Sequence, residues 1–400
     1  MPFGWIDYSK SERNKIISIL DMLSEPATLD ELGISPVRDG YANLFFPGTS
    51  TIQTKAKYFF IIPYIFRDIE KDERITNKNV FDNLSWSERC VAEELIDVEK
   101  DYTGIIGQRS LAQGAWVKRP PSEIYWAGLR TYNIFTGGRL TISEYLRYMC
   151  SSKNKRKYSE KLGNRNDNND DTDKDDEKAN NLYYHQFWNI PTYTDEWENE
   201  LNMKLTKAEG IFLKKQIIAS CPDTMISFIL ADSKVELMNA NSFQELRSFV
   251  NIFPEEIRKD YEMAYKFSDF VFVLRVLFNM IASNNKNKEA DQQWEKIQTN
   301  LRSIADIDID SIFDRLLLFN NQQLKSFLNE CKADMINERI EELKERITKR
   351  EISLKGFNRA KTAHPGEYGD NAWFCGYDLD YRFRNARIIM RDIFESEGLC

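Results

Sequence analysis

Only two histidines, His185 and His364, occur in this chain of 400 residues, and that count bounds its chemistry more tightly than any other. A His-rich zinc site, a HExxH pair or a His-dependent triad would each have to use one of them. His185 stands among aromatics in Tyr183–Trp188, an ordinary setting for packing or hydrogen bonding, and His364 precedes Pro365 and Gly366 in a loop without a visible partner. A restriction-type nuclease needs an Asp and a Glu-x-Lys on adjoining strands so that carboxylates hold a magnesium ion. Asp97-Val-Glu-Lys100 comes nearest, inside a stretch that reads as helix. The run Asp167, Asp170, Asp171, Asp173 and Asp175 lacks the Gly and the terminal Glu of a calcium loop, so it reads as a solvated charge run. Covalent catalysis by Ser or Cys lacks a base. No catalytic residue, metal-ligand set or cofactor is assigned.

Two segments carry the residue types that phosphate or a charged partner would need. Gly48-Thr-Ser-Thr-Ile-Gln-Thr-Lys55 places hydroxyls and a lysine where a helix is predicted to begin, which makes Thr49, Ser50, Thr51 and Lys55 a candidate anion site. The order is not that of a P-loop. The plainer reading is an N-cap at Ser50 with Gln53 completing a capping box, worth about 1 kcal/mol if Ser50 is replaced by Ala. The second segment runs from Lys355 to Arg391. Its basic residues are Lys355, Arg359, Lys361, Arg382, Arg384, Arg387 and Arg391, against Glu367, Asp370, Asp378 and Asp380, with Trp373, Phe374, Tyr377 and Tyr381 interleaved. Arginine with aromatics suits a phosphate-tracking, base-stacking surface and suits a protein interface equally. A third reading has these arginines paired with Asp378, Asp380 and neighbouring carboxylates to fix the C-terminal helix, on which Arg384, Arg387 and Arg391 share a face.

The elements that must position these residues are helical. Apolar residues recur at helical spacing in Ser11–Leu23, from Ser50 to Asp68 with Pro63 a potential break, and from a second capping box at Ser85 and Glu88 through Val91, Leu95 and Val98. Ser122 is predicted to cap a short helix after Pro120 and Pro121, and Thr206 starts another. Further helices are predicted over Phe243–Phe253, Ile257–Ile281, Trp294–Leu301, Ile309–Phe319 and Leu324–Lys349. Strand signals are few. The Phe267–Ile281 stretch, interrupted by Asp269 and Arg275, is too short to span a bilayer and reads as a central buried helix. The expected fold is all-α, with two helical lobes at 1–150 and 182–400. Between them, 151–181 is rich in Asn and Asp after the basic run Lys153–Lys157, and reads as a disordered charged linker or insertion.

With 42% hydrophobic and 13% aromatic residues, the chain has enough apolar surface for a large core, and its net charge of -8 owes much to that charged stretch. No apolar signal core follows Trp5, Asp7 and Lys10, and the six cysteines stand singly without a CxxC pair. Both features point to the cytoplasm.

Six segments carry a resemblance: Phe3–Ser9 (FGWIDYS), Asp30–Ile34, Phe46–Phe60 (FPGTSTIQTKAKYFF), Arg119–Leu129, Leu354–Ala360 and Tyr381–Arg384. Taken together the chain resembles, over its whole length, an uncharacterised bacterial family catalogued as a domain of unknown function. The resemblance implies no activity and no site residues. It does imply a setting, since genes of that family look like neighbours of helicases and nucleases in anti-phage defence islands. The expectation is a non-catalytic subunit of such a system that binds a helicase or nuclease partner, with DNA as a further candidate ligand. A DNA-binding module acting through the C-terminal segment and a metal-dependent nuclease are the alternatives.

Overall fold

The computed structural model describes residues 30–99, 101–163 and 187–399. The segment Phe3–Ser9, the helix expected over Ser11–Leu23, Lys100, His185 and the acidic run Asn166–Glu177 lie outside those residues. The protein is all-α. In chain order its helices are α1 (Ser35–Phe45), α2 (Tyr58–Lys71), α3 (Val80–Val98), α4 (Gln108–Leu111), α5 (Pro121–Thr131), α6 (Ile142–Gly163), α7 (Lys207–Ser220), α8 (Met225–Ala231), α9 (Glu255–Ala282), α10 (Lys288–Ile297), α11 (Leu301–Ile304), α12 (Ile309–Arg315), α13 (Gln322–Ile336), α14 (Ile340–Lys355) and α15 (Phe383–Glu397). Among the described residues the one extended pairing is an isolated antiparallel bridge between Phe135 and Trp188. No described helix is long and apolar enough to cross a membrane.

Several predicted boundaries move, each for a local reason. The helix expected from Ser50 begins at Tyr58, because Gly48–Lys57 forms a turn held by side chains from distant parts of the chain. Ser85 lies inside α3, which starts at Val80, so its capping box with Glu88 does not form. Ser122 sits one residue inside α5, where Pro121 takes the first position. Phe243–Phe253 is a 3-10 helix over Gln244–Ile252. Leu324–Lys349 divides into α13 and α14 at Asn337–Arg339, where Glu338 takes a positive φ of 55°. Thr206 caps α7 as expected, with Glu209 completing the box.

The chain folds into two compact units, one holding 46–239 and 384–400, the other 240–383 and the described residues up to Phe45. The core of the first is α2, in which every residue from Tyr58 to Phe66 is buried. Pro63 removes one backbone donor there without ending the helix. Beside α2, the rings of Phe66, Trp126, Phe135, Tyr145 and Trp188 pack with centroids 4.5 to 6.1 Å apart. Lys153, placed by sequence in the charged stretch, is buried on α6 and donates to the Ile69 and Asp72 carbonyls at 2.7 and 2.9 Å. It satisfies the carbonyls that the end of α2 leaves open. In the second unit α9 is the buried central helix that its apolar run predicts, and α13 and α14 pack against each other as a helical pair.

The start of α5 shows how buried charge is used. Glu88 on α3 accepts the Ser122 amide at 2.7 Å, so a carboxylate from a neighbouring helix caps α5. Glu88 borders a cavity of about 10 Å³ lined by Tyr58, Ile61, Ile65, Val91 and Leu95. Burial among these apolar groups pushes its carboxyl up from 4.5 to about 7, with Ser122 pulling down and Glu123 adding to the rise. A folded-state value above the unfolded one contributes stability that is complete below 4.5 and lost as pH rises through about 7. Glu70, raised to about 6 by burial, has the same sign, so comparison of one variant with the parent isolates Glu88. Glu88→Gln keeps the acceptor for Ser122 and removes the ionisation, and is expected to be more stable than the parent by roughly 2 kcal/mol at pH 8. The advantage should shrink toward pH 5, as read by urea unfolding at both pH values.

Candidate functional site

The segment Phe46–Lys57 is tightly engaged. Pro47 and Gly48 make the turn, Gly48 at a φ of +78° against the Tyr132 ring, whose hydroxyl donates to the Pro47 carbonyl at 2.9 Å. Gln53 closes the turn from inside, accepting the Ser50 amide at 3.2 Å and donating to the Gly48 carbonyl at 3.1 Å. Gln53 therefore reaches back to Ser50 as a capping box would, in a loop instead of a helix. The Ser50 hydroxyl is buried and has no hydrogen-bond partner. Further along, the Tyr125 hydroxyl on α5 accepts the Thr54 and Lys55 amides at 2.8 and 3.0 Å and donates to the Lys55 carbonyl.

Helix α15 returns to the same loop from more than 330 residues away. Asn385 donates to the Thr51 and Gln53 carbonyls, and Asp392 accepts the Ala56 amide at 2.8 Å while facing the Lys55 ammonium at 3.4 Å. Burial pushes the Asp392 carboxyl above its ordinary value, against the pull of Ala56 and Lys55. Lys57 is buried, with Nζ 2.8 Å from both oxygens of Glu209 on α7. Glu209 also accepts the Thr206 amide at 2.8 Å and the Tyr64 hydroxyl at 3.1 Å. The structure thus brings Thr49, Ser50, Thr51 and Lys55 into one loop, but the amides of Ser50, Thr54, Lys55 and Ala56 already donate to the protein's own oxygens. Asp392 supplies the carboxylate that the Ala56 amide and the Lys55 ammonium face.

The C-terminal candidates divide between the two units. Lys355, Arg359, Lys361, Trp373, Tyr381 and Arg382 belong to one, and Arg384, Arg387 and Arg391 to the other. Lys355 and Lys361 both reach Glu31, at 3.2 and 3.0 Å, and Lys355 also faces Glu351. Arg382 donates to Asn43 at 2.7 Å and lies 3.8 Å from Asp39. Arg391 donates to the Met238 carbonyl at 2.9 Å, and Arg384 and Arg387 also have partners within the fold. Lys355, Lys361 and Arg382 thus find partners in Glu31, Glu351, Asp39 and Asn43. Tyr381 is buried, its hydroxyl on the Ala264 carbonyl.

Several aromatic side chains of that unit stand at the surface among its exposed polar and charged residues. Phe357 is 58% exposed, Tyr377 50% and Tyr368 37%. Trp373 stacks on Tyr377 with centroids 4.9 Å apart and planes within 6°. Arg359 is exposed close to Phe357 in the chain. His364 lies edge-on to Phe357 at 5.1 Å, with Nε2 3.1 Å from the Phe357 carbonyl. Among the described residues no group of three or more His, Cys, Asp or Glu comes together as a metal site would require. Glu99, of the nuclease-like tetrad, accepts the Met203 amide at 2.7 Å. The residues that sequence reasoning missed are Tyr125, Glu209, Asn385 and Asp392. Of these only Glu209 carried a local signal, through its capping box with Thr206.

Residues 2–179 match a family of unknown function (DUF6361). No curated protein and no solved structure matches the chain. Over that span the chain is thus similar to an uncharacterised domain, and the match brings no residue roles with it.

The bonding within the loop sets an order of stability losses. Ser50→Ala is expected to change stability by less than about 0.5 kcal/mol, because the hydroxyl it removes has no partner, whereas Gln53→Ala should cost about 1–2 kcal/mol through two buried bonds. Lys57→Ala strands the Glu209 carboxylate and should cost about 3–5 kcal/mol. Denaturant midpoints of the three variants at pH 7 check the order. A loss of about 1 kcal/mol or more at Ser50 would restore the N-cap reading.

Proposed function

We propose that the protein is a non-catalytic subunit of a bacterial anti-phage defence system, working in the cytoplasm by binding a helicase or nuclease partner. The setting comes from the family resemblance. The observation that supports a binding role is the set of exposed aromatics within 357–377, where Phe357, Tyr368 and Tyr377 stand at the surface, Tyr377 stacked on a half-buried Trp373, with Arg359 exposed close to Phe357 in the chain. Large rings with arginine are what interface centres are enriched in. Lys355 and Lys361 share Glu31, so much of the local positive charge is answered within the fold and less is left to follow a phosphate backbone. This favours the protein-partner reading over a DNA-binding module, which rests on the Lys355–Arg391 segment as a whole.

The test is to purify the tagged protein at native level from its own host, with and without nuclease treatment of the lysate, and to identify what accompanies it. A helicase or nuclease subunit retained after treatment is expected, and Phe357→Ala with Tyr377→Ala should lower its recovery at least tenfold while leaving thermal stability unchanged. Partners lost on treatment, or nucleic acid alone, would move the reading to the DNA-binding module. Chelator-sensitive cleavage by the isolated protein would overturn the non-catalytic assignment.

A further inference from the structure

Near the end of α2 a buried carboxylate joins three parts of the first unit. Glu70 is 6% exposed. Its Oε1 accepts the Tyr145 hydroxyl of α6, and its Oε2 accepts the Arg67 guanidinium at 2.9 Å from one turn earlier on α2. The Trp188 indole donates in turn to the Tyr145 oxygen at 2.8 Å, so the chain leading into residues 188–197 is bonded to the same group. The second cation nearby is Lys153. Its ammonium donates to the Ile69 and Asp72 carbonyls, with Cys150, Asp72 and Glu73 as its own charged or titratable neighbours.

The direction of these bonds decides where a proton goes. An indole N–H and a guanidinium only donate. Among the described residues the Tyr145 hydroxyl meets Trp188 and Glu70, so it accepts from the first and donates to the second. Turning it round would leave its own proton buried without an acceptor. A proton added to Glu70 therefore belongs on Oε2, the oxygen that faces Arg67. There an O–H would meet N–H donors, and the bond to Arg67 is lost. Burial brings this protonation into an accessible range, pushing the carboxyl from 4.5 up to about 6 against the pull of Tyr145, Arg67 and Lys153. With the folded value above the unfolded one, the stability this group contributes is complete below 4.5 and lost as pH rises through about 6.

Arg67 has a second setting within reach. Its guanidinium carbon lies 5.6 Å from the centre of the Tyr193 ring, and its charge adds to the pull of Lys71 that holds the Asp195 carboxyl below its ordinary value. Tyr193 and Trp197 both donate to Asp68, the next residue along α2. We propose that Glu70 is a proton-sensitive switch of the first unit: ionised, it holds Arg67 beside Tyr145, and protonated, it gives Arg67 over to Tyr193 and Asp195. Acidification then draws residues 193–195 closer onto α2 in exchange for the Arg67–Glu70 pair. The switch does not depend on the partner-binding reading.

A double-mutant cycle read by urea unfolding of the full chain, at about pH 7.5 and about pH 5, tests the switch. Arg67→Met and Glu70→Gln, singly and together, should show coupling of about tenfold or more in the folding equilibrium constant at the higher pH and less than about twofold at the lower. Glu88 titrates in a neighbouring range but is present in all four proteins, so its contribution cancels. Equal coupling at both pH values, or none at the higher one, would overturn the proposal. Should a variant fail to fold, amide resonances of the unmodified protein decide. Those of Tyr193 and Asp195 should move together with a midpoint at pH about 6, and the absence of that transition at both residues would overturn the proposal.

Discussion

The loop Phe46–Lys57 must be held in a shape that makes few backbone bonds of its own, and the first compact unit is organised around that constraint. A turn of this kind leaves amides without helical or sheet partners, and buried amides have to be satisfied. Here the acceptors are imported: a phenol from α5, a carboxylate from α15, and a side-chain amide from within the loop. The buried Lys57–Glu209 pair fixes where α2 begins relative to α7. The pair is worth keeping only because each partner would be costly alone; a well-packed apolar pair in the same place could be as stable. Its contribution is thus as much to the register of these helices as to their stability.

The same device recurs through the molecule. Glu88 accepts the first free amide of α5, Glu99 accepts Met203, and Glu351 accepts the amide and hydroxyl of Thr362. Asp30 gathers the amides of Leu32, Ile34 and Ser35 ahead of α1. Lys153 performs the converse task at the end of α2. An all-α chain with many irregular connections leaves many backbone amides to satisfy, and buried carboxylates do this at the cost of raised pKa values at Glu88 and Asp392. Glu88, Glu99, Glu351 and Asp392 each accept a backbone amide of the fold.

The helical class was legible because α9 and α7 announce themselves through apolar spacing and, at Thr206, through a complete capping box. Gln53 was also legible as a residue that reaches back to Ser50. What local pattern could not convey was the reason: the amides of Thr54, Lys55 and Ala56 are claimed by Tyr125 and Asp392, which lie about 70 and more than 330 residues away. Once those bonds form, the loop cannot wind into the first turns of α2. Ser85 and Glu88 failed as a box for a similar reason, since α3 had already begun at Val80 and Glu88 was needed by α5. The basic C-terminal segment was visible as composition, while its partners Glu31, Asp39 and Asn43 lie more than 300 residues earlier in the chain. Nothing in the sequence near residues 45, 239 or 383 marks where the chain passes between the two units.

Much of the charge of the Lys355–Arg391 segment is answered within the fold. The most direct measurement is the binding of labelled single-stranded and duplex DNA to the purified protein, followed by fluorescence anisotropy between about 50 and 200 mM salt. Weak binding with little dependence on salt is predicted, because few cations are free to displace counterions. Affinity that falls steeply with salt, and is abolished by Arg384→Glu with Arg387→Glu, would contradict it.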